Sequence, residues 1–124
     1  MPPRAAVTTR LSAGYLVRAD PEQLTQALES VALFLLDLDG TTTIENELLP
    51  GTSAFVERVM STGRDFVFLT NNTSTSARYY VEKINRLGIA AGRENVFTAG
   101  QSTALHLLER TETPRVFQIG RAHV

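Results

Sequence analysis

Apolar residues recur along this chain in two alternating rhythms. Leu24, Ala27, Leu28 and Val31 fall at helical spacing, behind an Asp20 placed to cap a helix, with Pro21 in its first turn and Gln23 completing a capping box. Val31 to Leu36 is then unbroken apolar sequence ending in Asp37. Such a run reads as a strand buried on both faces, the habit of parallel sheets. A helix through the same run stays open, because Leu and Ala favour one; the Asp-Leu-Asp-Gly-Thr that follows weighs toward a strand ending in a loop. After Pro50 and Gly51, the stripe Phe55, Val56, Val59, Met60 predicts a helix closed by Gly63. Phe66 to Leu69 predicts a second buried strand, ending at Thr70-Asn71-Asn72. Ser76 caps an amphipathic helix with Ala77, Tyr80, Val81, Ile84 and Leu87 on one face and Gly88 at its end. Val96-Phe97 is a short third strand. Thr98 and Gln101 have capping-box spacing ahead of Ala104, Leu105, Leu107 and Leu108, and Val116 to Ile119 starts a fourth strand.

Strands and helices in strict alternation imply an α/β fold, a parallel sheet in three layers with right-handed crossovers. The chain has 124 residues, room for one small domain. A hydrophobic fraction of 43% and a charged fraction of 20% are ordinary for a globular chain. The formal net charge of -1 leaves no basic excess to attract nucleic acid. No apolar run approaches the roughly 18 residues of a membrane span. The absence of cysteine removes disulfide frameworks and thiolate zinc sites and suits a cytoplasmic protein. Arg4, Arg10 and Arg18 with no acid before Asp20 fit a transit peptide or a disordered extension equally.

In open parallel sheets, ligands bind beyond the carboxyl ends of the strands. Two polar clusters fall there: Asp37-Leu38-Asp39-Gly40-Thr41 and Thr70-Asn71-Asn72. A pair of carboxylates two residues apart can divide the work, one attacking phosphorus and the other moving the proton. Gly40 allows a tight turn and offers an unobstructed N–H to a phosphate oxygen. The hydroxyl and amide of Thr70 and Asn71 suit the same phosphate. Two neighbouring acids repel, so a hard cation such as Mg2+ is expected beside them. Each cluster alone is ordinary turn composition. A calcium loop fails on spacing, because with Asp37 at its first position the glycine position is Thr42 and the bidentate glutamate position is Leu48. Both clusters after apolar strands, with a helix between, are much harder to obtain by chance.

Phe34 to Thr41 (Phe-Leu-Leu-Asp-Leu-Asp-Gly-Thr) resembles the first motif of the haloacid dehalogenase (HAD) superfamily, and Phe68 to Ser74 resembles its second motif as used by the NagD-like and p-nitrophenylphosphatase branch. Leu49-Pro50-Gly51, Lys83 to Ile89 and Phe97 to Leu108 are similar to that branch in order and spacing. The resemblance covers about Leu33 to Gly120 and implies the N-terminal part of a Rossmannoid HAD-like core over residues 31–120; the extension and short helix read over residues 1–30 have no counterpart in it. It implies a Mg2+-dependent phosphatase working on a small phosphorylated metabolite through an aspartyl-phosphate. Asp37 would be the nucleophile and Asp39 the general acid/base. The Asp37 carboxylate and the Asp39 backbone carbonyl would hold the metal. Thr70, with the Asn71 backbone N–H, would bind the phosphoryl oxygens; Gly40 and Thr41, in the turn after the acids, are the further candidates for binding the phosphate. The branch contains enzymes for sugar phosphates, nucleotides, phosphoglycolate and pyridoxal phosphate, so the ester is not named by the resemblance, nor is the oligomeric state.

The family's lysine, its later Gly-Asp acidic motif and the substrate-selecting cap of this branch have no counterpart in these residues. The one lysine, Lys83, falls on the polar side of its helix and reads as a solvated charge. Thr42-Thr43-Ile44-Glu45 departs from the branch's apolar-then-glycine pattern, which predicts a loop of different shape. His106 reads as packing or surface. The ending Ile-Gly-Arg-Ala-His-Val is what ATC GGA AGA GCA CAC GTC encodes, a string matching a widely used sequencing adapter. On that reading residues 121–124 are an assembly artefact and His123 has no role; the alternative is a genuine short tail. Without the missing parts the chain is expected to be inactive by itself, a fold or binding fragment with at most weak phosphate and metal affinity.

Overall fold

The computed structural model describes residues 21–119. Contacts divide the chain after Ser30, leaving α1 (Pro21–Glu29) in the first unit and all later elements in the second. Asp20 lies outside the described residues, so the cap expected of it does too. The second unit runs β1 (Leu33–Asp37), a hairpin of β2 (Thr43–Ile44) and β3 (Glu47–Leu48), α2 (Thr52–Ser61), β4 (Asp65–Thr70), α3 (Ala77–Arg86), a 3-10 turn at Arg93–Asn95, β5 (Val96–Thr98) and α4 (Ala99–Arg110).

The sheet has the order β1-β4-β5, parallel throughout. Its register pairs Asp37 with Leu69 and Thr70 with Thr98, so the strands end level at one edge. Parallel neighbours need a crossover, and here α2 and α3 supply the two. Because side chains alternate along a strand, Phe66 and Phe68 of β4 turn to one face of the sheet. There they meet Val56 and Val59 of α2, Tyr80 and Ile84 of α3, and Leu38, Ile89 and Val96. Phe66 and Phe68 are 2% and 1% exposed, so this face is the core. The α/β class and the parallel sheet are as the residue pattern predicts, and the partial core is as the resemblance implies.

Helix ends follow their signals. The Ser76 side chain accepts the Tyr79 N–H at 3.3 Å. Thr98 and Gln101 close a reciprocal box, Gln101 N–H to Thr98 Oγ1 at 3.2 Å and Thr98 N–H to Gln101 Oε1 at 2.9 Å. Gly88, at φ 94°, takes the left-handed conformation that ends α3.

Three expectations need correction. Strand β1 is not buried on both faces: Leu33 and Leu35 are 48% and 62% exposed, while Phe34 and Leu36 are half-buried against the core. The opposite face, through Leu35, Val67, Leu69 and Phe97, lines an open concavity of about 580 Å³. The fourth strand is absent among the described residues. Val116, Phe117 and Ile119 are 63%, 90% and 88% exposed, and a strand without a neighbour has nowhere to place its backbone hydrogen bonds. The stripe on α4 is also uncovered, with Leu105 and Leu108 more than half exposed.

Candidate active site

Strand β1 delivers Asp37 to the carboxyl edge of the sheet, and the Leu38 N–H still joins the ladder through Leu69 O at 3.0 Å. Leu38 is fully buried. This apolar anchor between two acids holds the turn down, while Asp37 and Asp39 stand exposed on either side of it. Gly40 then turns the chain at φ 85°, a conformation that strains any side chain with a Cβ.

The two carboxylates have separate hydroxyl partners. Thr41 Oγ1 donates to Asp37 Oδ2 at 2.7 Å. Thr70 Oγ1, from the end of the neighbouring strand, donates to Asp39 Oδ2 at 3.0 Å and accepts the Asn72 N–H at 3.2 Å. The second bond joins positions 31 residues apart and brings the two polar clusters into one site. Asn71 lies exposed beside them, and Asn72 Oδ1 closes its own turn on Ser74. Asp37, Asp39, Gly40, Thr41, Thr70 and Asn71 therefore share one edge of the sheet.

One expectation about this edge changes. The Gly40 N–H is not unobstructed; it donates to Thr43 O at 2.7 Å. That bond ties the loop to the first residue of the β2–β3 hairpin, which residue patterning alone did not reveal. The hairpin turns through Glu45 and Asn46, with Glu45 at φ 53°. Its first residue is fastened to the loop by several bonds. Thr43 Oγ1 donates to Leu38 O at 3.2 Å, and Asp39 bridges to Thr43. Thr42 Oγ1 donates to Leu38 O at 3.0 Å, and Thr52 Oγ1, opening α2, donates to Thr42 O at 3.3 Å. A two-residue loop with positive φ usually carries Asn-Gly or Asp-Gly, and Glu-Asn is a weak version of that signal.

Lys83 is the second correction. It is 8% exposed, and its Nζ donates to the Glu45 carbonyl at the hairpin turn. Its charge suggests solvent, but position 83 follows Tyr80 by three residues and precedes Ile84 by one, which puts it beside the buried stripe. His106 is exposed on α4, as expected, and His123 lies outside the described residues.

Asp37, Thr41, Asp39 and Thr70 bring side-chain oxygens to this edge. That set suits Mg2+, which binds through one or two carboxylates and keeps several waters. Among the described residues, no group of three or more His, Cys, Asp or Glu side chains converges. The two carboxylates of Asp37 and Asp39 are of the kind Mg2+ takes, as part of a coordination shell and not the whole of one.

Residues 34–124 match the family model described as haloacid dehalogenase-like hydrolase. The chain belongs to this family. Its similarity extends to a 4-nitrophenylphosphatase of Schizosaccharomyces pombe, 28% identical over 86% of this chain and 37% of the relative. A solved 4-nitrophenylphosphatase from Thermotoga maritima superposes with a TM-score of 0.63 at 41% identity, over 67% of this chain and 32% of that one. Glycerol phosphate phosphatase from Mycobacterium tuberculosis, solved in complex with magnesium, superposes with a TM-score of 0.57 at 31% identity, over 67% of this chain and 24% of that one. The HAD-like chain spans about a third of the length of the curated relatives it matches. Among its described residues no helix is long and apolar enough to cross a membrane.

Proposed function

We propose that this chain carries the nucleophile and part of the phosphate site of a Mg2+-dependent phosphate-monoester hydrolase acting on a small phosphorylated metabolite. The observation that carries the reading is the hydrogen bond from Thr70 to Asp39, which ties the end of β4 to the Asp-Leu-Asp-Gly-Thr loop. Each carboxylate is oriented by a threonine hydroxyl on its Oδ2. Asp37 attacks phosphorus with a carboxylate oxygen. The P–O bond to the alcohol breaks as Asp39, protonated, gives its proton to the leaving oxygen. In the return half, Asp39 takes a proton from water, the water oxygen bonds to phosphorus, and the acyl phosphate bond to Asp37 breaks. A bound magnesium ion would offset the negative charge gathered there. It would be held by the Asp37 carboxylate and the Asp39 backbone carbonyl.

Phosphate binding asks the Thr41 and Thr70 hydroxyls to turn from carboxylate to phosphoryl oxygen, one anionic acceptor for another. The Asn71 N–H contributes from the same rim, and Gly40 supplies the turn that brings the loop close. The test is hydrolysis of p-nitrophenyl phosphate with and without Mg2+. Metal-dependent turnover that falls at least about a thousandfold in Asp37→Asn is the expected outcome for a chain with a complete site.

A second reading, a non-catalytic phosphate- or metal-binding fragment, is favoured by the lack of any third acidic group beside Asp37 and Asp39 among the described residues. Absence of turnover in well-folded protein, with Mg2+ still shifting the NMR signals of Asp37 and Asp39, selects it.

A further inference from the structure

The β2–β3 hairpin is held at both ends. At its base, Gly40 N–H to Thr43 O and Thr43 Oγ1 to Leu38 O fasten it to the loop that carries both acids. At its turn, the Lys83 ammonium donates to the Glu45 carbonyl from 38 residues away. Lys83 is 8% exposed, and burying an ammonium is unfavourable unless an acceptor replaces its water. Glu45 is the one non-glycine residue with positive φ among the described residues. Its conformation turns a carbonyl toward α3, and the lysine meets it there. The hairpin has only two paired residues on each strand, too little ladder to be stable alone.

We propose that Lys83 is a positioning residue: it pins the hairpin turn to α3 and so sets the backbone of the Asp37–Asp39 loop. This rests on the phosphatase reading only for its consequence, since a loop out of place misaims the nucleophile. The contact itself is independent of that reading.

Amide-resolved hydrogen exchange on the full chain, without substrate, separates the two. In Lys83→Met, exchange at the Gly40, Thr42 and Thr43 amides is expected to accelerate about tenfold or more, the scale of one lost charge-assisted hydrogen bond. The Phe68 and Val96 amides in the sheet core should accelerate several-fold less. Equal acceleration at all five would mean that Lys83 only supports the fold, and no change at Gly40, Thr42 and Thr43 would mean that it does not hold the loop; either overturns the proposal. Should Lys83→Met fail to fold, Lys83→Gln, which keeps an N–H donor but loses the charge and the reach, is read by the same amides with the same criteria. A chain with no turnover but with this exchange pattern leaves the positioning role standing and removes the phosphatase reading.

Discussion

Thr70 is 5% exposed, and its hydroxyl donates to Asp39 and accepts from Asn72, so one oxygen ties the end of β4 to the Asp39 loop and closes its own turn. Valine has nearly its shape but no hydroxyl, and Thr70→Val would strand the Asn72 N–H and free the Asp39 carboxylate. We expect a loss of about 1–2 kcal/mol in urea unfolding, with Thr70→Ser close to the parent. The residue types at this site are legible in the sequence, because acids, glycine and hydroxyls after buried strands have few structural reasons to gather. Their partners are not. Whether Thr70 faces a phosphate or Asp39, or whether the Gly40 N–H is open or bonded to Thr43, depends on atoms from other segments. Lys83 shows the same limit more sharply, since its charge predicts solvent while its place beside Tyr80 and Ile84 puts it in the interior.

Helix boundaries obey local chemistry, which makes the element scale the most readable. Ser76 caps α3 through one bond to Tyr79 N–H. Ser76→Ala is expected to cost about 1 kcal/mol, seen as a lower midpoint in chemical unfolding with an unchanged m-value. Strands are less local. Leu33 and Leu35 have the composition of a doubly buried strand, yet only the Phe34 and Leu36 side meets the core. Val116 to Ile119 has strand composition and no strand, since pairing needs a partner that composition cannot supply. The β2–β3 hairpin is the converse case. Its turn chemistry is weak, and bonds to the acid-bearing loop and to Lys83 accompany its short ladder.

At the scale of the whole unit from Val31 onward, stability and exposure separate by sheet face. The core face gathers Phe66, Phe68, Tyr80, Ile84 and Val59, each nearly or fully buried. Phe68→Ala removes a ring from this cluster and is expected to cost about 3–5 kcal/mol in equilibrium unfolding. Leu35, on the other face, is 62% exposed, and Leu35→Lys should change stability by less than about 1 kcal/mol. That substitution breaks a contiguous apolar surface with Val67 and Leu69, so it should lower both dye binding and self-association in sedimentation velocity.

Residue order alone was enough for the α/β class, the first three strands of the parallel sheet with the helices between them, most helix caps and the set of residues at the carboxyl edge. All of these follow from periodicity and from side chains acting on their own backbone within a few positions. Packing in three dimensions decided which sheet face is core, that Lys83 is buried against Glu45, and that Thr70 holds Asp39. Each of these joins positions tens of residues apart, where the favourable partner is set by which surfaces the fold brings together and by the need of every buried polar group to find one.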